Sequence, residues 1–200
     1  DIICGEEIQT SLPRGLHVIG LFLKKAIPYS KPLLWTINAI GEQRGLAIVA
    51  HPLAKIFGLI PAATASVQMR DLQKLIHETK VDGIELRYPS IVDTDKKRID
   101  EFYRKNKEKL GAGIGSSDSH FGDADMFGYL TVFPGDCAKD LRSAIESKKT
   151  KIIEGPTDSI PFSNYLFQKK KALVDLGFRR YANMIGRWAK LDFESIDEEI

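Results

Sequence analysis

The chain has 200 residues, of which 43% are hydrophobic and 28% charged, and its 29 basic and 27 acidic side chains leave a formal net charge of +2. A balance this close to neutral predicts neither a nucleic-acid coat nor a membrane surface, the acidic segment 192–200 reads as a frayed tail, and the length suffices for one substantial core. No stretch approaches the roughly 20 apolar residues that a spanning helix needs, and no cationic and apolar leader opens the chain, so neither a membrane partner nor an anchor is expected. Cys4 and Cys137 lie far apart without metal-ligand spacing, which predicts free thiols in a reducing cytoplasm.

Periodicity predicts strands at 2–8, 17–23, 46–50, 83–87, 112–116, 129–133 and 151–154. Helical patterns fall at 31–44, 69–79, 95–110 and 138–148. The alternation of β and α in the second half predicts a mainly parallel sheet with crossover helices, open or closed into a barrel, with its site at the carboxyl ends of strands. Between 8 and 17 the chain is too short for a helical crossover, so a hairpin is expected, bringing His17 beside Glu6 and Glu7. The opening Asp1-Ile2-Ile3-Cys4, without Met and already apolar, predicts that roughly one to two strands of a parent domain precede it.

Three of the four histidines stand at edges of apolar, β-rich runs: His17, His51 in Ala50-His51-Pro52, and His120 in Ser117-Asp118-Ser119-His120. Imidazole with carboxylate is a donor set for zinc, manganese or iron, which points to a metal-dependent hydrolase. The fourth, His77, lies in a helical pattern and reads as a surface residue. Adjacent strand residues face opposite sides, so only one of Glu6 and Glu7 can point at the site.

Gly5-Glu6-Glu7-Ile8, His17-Val-Ile-Gly-Leu-Phe22, Gly45-Leu-Ala-Ile-Val-Ala-His-Pro52 and Gly115-Ser-Ser-Asp-Ser-His120 occur in the order of the PHP (polymerase and histidinol phosphatase) domain, which residues 1–155 resemble, and Val81-Asp-Gly-Ile-Glu-Leu86 is similar to that family as well. The resemblance implies an α/β fold, a distorted (β/α)7 barrel with up to three divalent ions, here lacking its first strands and followed by C-terminal helices over 156–200. It implies that Glu7 bridges two ions, that His17 and His51 complete one of them, that Asp118 binds the neighbouring ion and that His120 serves the third. Asp118 and His120 would be the catalytic pair. The implied reaction is hydrolysis of a phosphate ester by metal-activated water, on a nucleotide, a short oligonucleotide or a small phosphorylated metabolite. The alternative is a PHP module with a binding or structural role and no catalysis.

The family's opening His-x-His is not in this sequence, which leaves Glu7, His17 and His51 as a three-ligand site, fewer ions than in a complete one, and weak or no activity as the expectation for this chain. Arg87, read as facing the side of its strand opposite Glu85, is either a phosphate clamp or an ion-pair partner. Lys55 heads an apolar segment, 53–65, long enough to cover a site, and is a second candidate for substrate binding. Asp123 and Asp125 read as loop or cap positions more readily than as extra carboxylates. Lys169–Lys171 with Arg179 and Arg180, interleaved with Tyr165, Phe167, Phe178, Tyr181 and Trp188, admit a nucleic-acid surface, but helical apolar spacing favours an amphipathic pair broken at Gly177.

Overall fold

The computed structural model describes residues 1–11, 16–56, 60–61, 66–119 and 126–156, and for 55–56 and 60–61 it describes the backbone alone. His120, Asp123, Asp125 and everything proposed for 157–200 therefore lie outside the described residues. The chain divides into compact units between Thr157 and Asp158.

In order, the elements are β1 (Gly5–Gln9), β2 (His17–Leu21), α1 (Leu33–Glu42), β3 (Leu46–Val49), β4 (Lys55–Ile56), β5 (Ile60–Pro61), α2 (Met69–Glu78), β6 (Gly83–Arg87), α3 (Asp93–Leu110), β7 (Ala112–Gly115), β8 (Tyr129–Val132), α4 (Ala138–Glu146) and β9 (Lys151–Glu154). The main sheet runs β1-β2-β3-β6-β7, with β4-β5 and β8-β9 as separate two-stranded ladders. The expected barrel is not what forms: β1 and β7 are the two ends of an open five-stranded sheet, and among the described residues no strand joins them.

Nor is the sheet mainly parallel. The β1–β2 and β2–β3 pairings are antiparallel, whereas β3–β6 and β6–β7 are parallel. The alternation of elements misleads here because a helix between two strands fixes neither their relative direction nor their adjacency. Helices α2 and α3 connect parallel neighbours, but α1 joins the antiparallel pair β2 and β3, and α4 joins β8 and β9, which are antiparallel too. The short 8–17 connection does produce an antiparallel pair, in which Gln9 lies opposite His17 and Glu7 opposite Ile19.

Strand pleating sorts side chains to two faces. Ile8, Val18, Val49, Ile84 and Leu86 enter the larger core, which includes Ile40 of α1, Leu72 and Leu75 of α2 and Ile99 of α3. On the opposite face Ile48 and Ala112 pack with Ile145 of α4, and Ile19, Leu21 and Ile114 border them. All four residues of β3 are buried because both of its faces are covered. Glu7 and His17 fall on the second face with Ile19, the face that α1, α2 and α3 leave uncovered.

Local sequence explains the ends of these elements. Asp71 accepts from the Gln68 backbone N–H at 3.1 Å, closing a capping box that starts α2. Thr131 accepts from the Gly115 N–H at 2.9 Å and donates to the Gly115 carbonyl at 2.8 Å, so one hydroxyl occupies the outer edge of β7 where a strand would continue the ladder. Two residues apart on a regular strand, Glu85 and Arg87 would share a face. The register shifts between them, with Glu85 opposite Ile114 and Arg87 opposite Gly115, and this turns Arg87 toward α3.

Cys4 and Cys137 are both free thiols. His77 is exposed on α2. Among the described residues no helix is long and apolar enough to cross a membrane.

Candidate metal centre

Three strands in a row deliver three possible metal ligands. Glu7 comes from the middle of β1, His17 is the first residue of β2, and His51 follows the end of β3. Because β2 runs antiparallel to both neighbours, its beginning lies beside the end of β1 and the end of β3, which is why residues 7, 17 and 51 meet. Glu7 Oε1 is 2.5 Å from His17 Nδ1 and 3.0 Å from His51 Nε2, and the two ring nitrogens are 3.2 Å apart. Glu6 points the other way and accepts from the Ile27 backbone N–H at 2.9 Å.

An oxygen and two imidazole nitrogens converging this closely form a donor set for a divalent ion. The three atoms lie close enough together that a single divalent ion could be held by all of them at once. The group is reached from solvent on one side, since the Glu7 side chain is 44% exposed and that of His17 23%. His51, at 8%, forms the buried floor.

The electrostatics follow from these contacts. Hydrogen bonds from His17 and then His51 hold the Glu7 carboxyl far below the usual carboxylate range. Burial pushes the His51 imidazolium toward neutrality, but the Glu7 hydrogen bond and the negative charges of Asp118, Glu85 and Glu7 outweigh it and raise its pKa. Without a cation, Glu7 contributes stability that is present above its ordinary value of 4.5 and lost on acidification. His51 contributes stability that is present below 6.5 and lost as pH rises through its raised value. The pair is thus most stabilising between these limits. An ion displaces the His51 proton, so its binding strengthens as pH rises. The gap in melting temperature between the zinc-saturated and chelated chain is therefore expected to widen as pH rises toward the raised pKa of His51 and to level off above it. A gap that is flat across that range would count against cation binding at His51.

His51 itself is held in an unusual backbone conformation. Its φ is 27°, and Leu53 and Asp118 also have positive φ, at 68° and 42°. Glu85 Oε2 accepts the His51 backbone N–H at 2.6 Å. Ser66 donates its hydroxyl to the His51 carbonyl at 2.7 Å and accepts from the Ala54 N–H at 2.8 Å. Tyr88 donates to the Pro52 carbonyl, and its ring meets the imidazole edge-on at 6.3 Å. Glu85, Ser66 and Tyr88 escape a search for metal ligands because none is a ligand. Glu85 alone leaves a trace in the sequence, as a carboxylate set between Ile84 and Leu86 in an apolar strand.

Asp118 lies just beyond β7, with its N–H donated to the Ser116 hydroxyl at 3.2 Å. Its charge acts on His51, but its carboxylate does not belong to the group of ligand atoms formed by Glu7, His17 and His51. Arg87 forms a two-pronged pair with Asp100, at 2.9 and 2.7 Å. It lines a cleft with Asp100, Tyr129 and Glu154 that includes none of the three ligands. Lys55 lies in the two-residue strand β4, and its side chain is outside the described residues. In a second grouping of possible ligands, Asp136, Cys137 and Asp140 at the start of α4, Asp140 Oδ2 accepts from the Cys137 thiol at 3.1 Å and the Asp136 N–H at 3.3 Å.

No protein-family model matches this chain, and no curated protein matches it.

Proposed function

We propose that the chain is a metal-dependent phosphoesterase of PHP character, holding a zinc, manganese or iron ion on Glu7, His17 and His51 and hydrolysing a nucleotide, a short oligonucleotide or a small phosphorylated metabolite. The observation that carries this reading is the convergence of one carboxylate and two imidazoles from three adjacent strand ends, with one side open to solvent. When bound, such an ion supplies Lewis acidity toward phosphoryl oxygens and lowers the pKa of water.

The chain's own groups divide the remaining work. Glu7, kept ionised by its two histidines, supplies the negative charge that draws a divalent cation to the open face. His51 fixes the depth of the site because it is buried and held by hydrogen bonds at both its N–H and its carbonyl. Asp118, whose charge already acts on His51, is assigned to orient the attacking water and take up its proton.

The test is elemental analysis and manganese or zinc titration of the purified chain, followed by hydrolysis assays on nucleoside 3′- and 5′-phosphates and on a short oligonucleotide. The expected result is close to one tightly held cation per chain and hydrolysis that is weak and that chelator abolishes. Glu7→Gln, which keeps the shape and removes the charge, is expected to weaken cation binding by more than about 10-fold. Hydrolysis indifferent to chelator would overturn the reading, and cation uptake with no hydrolysis of any phosphate ester would reduce the site to a binding role.

A further inference from the structure

Glu85 is 1% exposed in the interior of β6, yet only one of its oxygens is used. Oε2 accepts the His51 backbone N–H at 2.6 Å, and the Ser116 hydroxyl is bonded to the same carboxylate. Oε1 is buried without a hydrogen-bond partner among the described residues, and so is His51 Nδ1. Leaving either kind of atom buried and unpaired costs on the order of 1–3 kcal/mol, so two such atoms on residues already in contact require an explanation.

Their chemistry is complementary. When His51 Nε2 gives its lone pair to a cation, the ring proton must reside on Nδ1, which then needs an acceptor. Nδ1 is the ring nitrogen nearest to a histidine's own backbone, and the Glu85 carboxylate is anchored to the backbone N–H of that same residue. We infer that Glu85 is the positioning residue behind the metal centre, pairing Oε1 with the His51 Nδ1–H directly or across one water, and so completing a carboxylate–histidine–cation arrangement. The inference rests on the cation site proposed above. It adds a role for a residue that touches neither cation nor substrate.

The arrangement also explains why a carboxylate is tolerated inside an apolar strand. It fixes the ring's orientation and tautomer. The Gln substituent, isosteric with Glu, can still accept the His51 N–H with its oxygen, but then turns an amide N–H₂ toward Nδ1–H, donor against donor.

Cobalt and zinc titrations of the wild-type chain and Glu85→Gln test this, together with the ring N–H resonances of the zinc-loaded forms and a melting curve for each. The expected result is a 10- to 100-fold weaker affinity in Glu85→Gln, with the slowly exchanging His51 Nδ1–H signal of the wild type lost and the fold retained. Equal affinity and an unchanged Nδ1–H signal would overturn the inference while leaving the metal centre standing. A wild-type chain that binds neither cation would overturn both. If Glu85→Gln does not fold, Ser116→Ala, which removes only the hydroxyl bonded to the carboxylate, is expected to weaken binding several-fold, and unchanged affinity there would equally overturn the inference.

Discussion

Replacing His51 with alanine is expected to lower the affinity of the chain for zinc or manganese by more than about 100-fold, beyond the upper end of what loss of a supporting residue costs. The reason is its place in the middle of the group. His51 Nε2 lies 3.0 Å from Glu7 and 3.2 Å from His17, so its removal leaves two ligands, one of them 44% exposed, on adjacent strands. Glu7 and His17 still meet at 2.5 Å, but two donor atoms hold a divalent cation far less well than three. Any hydrolysis that depends on the ion is expected to fall by a similar or larger factor, as is turnover in Asp118→Ala. The fold should survive His51→Ala, because what is removed is an imidazole with one unpaired buried nitrogen, and the backbone bonds to Glu85 and Ser66 do not need the ring. Isothermal titration with a melting curve separates the outcomes: lost binding with a melting temperature near the wild type supports the site, whereas retained binding removes His51 from it.

The meeting of His17 with the Glu6–Glu7 pair was legible from short-range geometry. The nine-residue spacing from Ile8 to His17 left room for a hairpin and nothing larger, and antiparallel pairing then brought the start of β2 to Glu7. Strand alternation allowed only one of Glu6 and Glu7 at the site, the family resemblance pointed to Glu7, and the Glu6 bond to the Ile27 N–H shows what the other carboxylate does instead. The open, mixed sheet was not legible in the same way. Whether β3 lies antiparallel to β2 depends on where α1 returns the chain, and the apolar stripe of α1 reads the same whichever way it returns. Glu85 was obscured for a different reason. Its importance lies in a bond to a backbone N–H 34 residues earlier, which no spacing rule encodes. The bulge that sends Arg87 to α3 is likewise set by pairing with β7, and it commits the guanidinium to Asp100.

The placement of β7, and with it of Ser116 and Asp118, depends on one backbone position. Gly111 ends α3 at φ 71° and ψ −140°, a region that is essentially closed to residues with a side chain. A Cβ there would stand 2.1 Å from the Asp82 carbonyl oxygen and 2.2 Å from its carbon, both backbone atoms that cannot rotate away. That carbonyl is also in use, accepting the Ala112 N–H at 2.8 Å, while Val81 donates to Lys109 at 3.0 Å across the same junction. Relieving the clash therefore separates the start of β6 from the start of β7. Gly111→Ala is expected to destabilise the chain by about 3 kcal/mol or more, a drop of roughly 6–12 °C in melting temperature for a domain of this size. Gly41, inside α1, provides the contrast, since a Cβ there meets nothing within 4 Å. Gly41→Ala should leave stability unchanged or raise it by up to about 1 kcal/mol through helix propensity. Denaturation of the two variants side by side checks the argument, because equal effects would mean that the tight α3–β7 junction is not what holds these parallel strands in register.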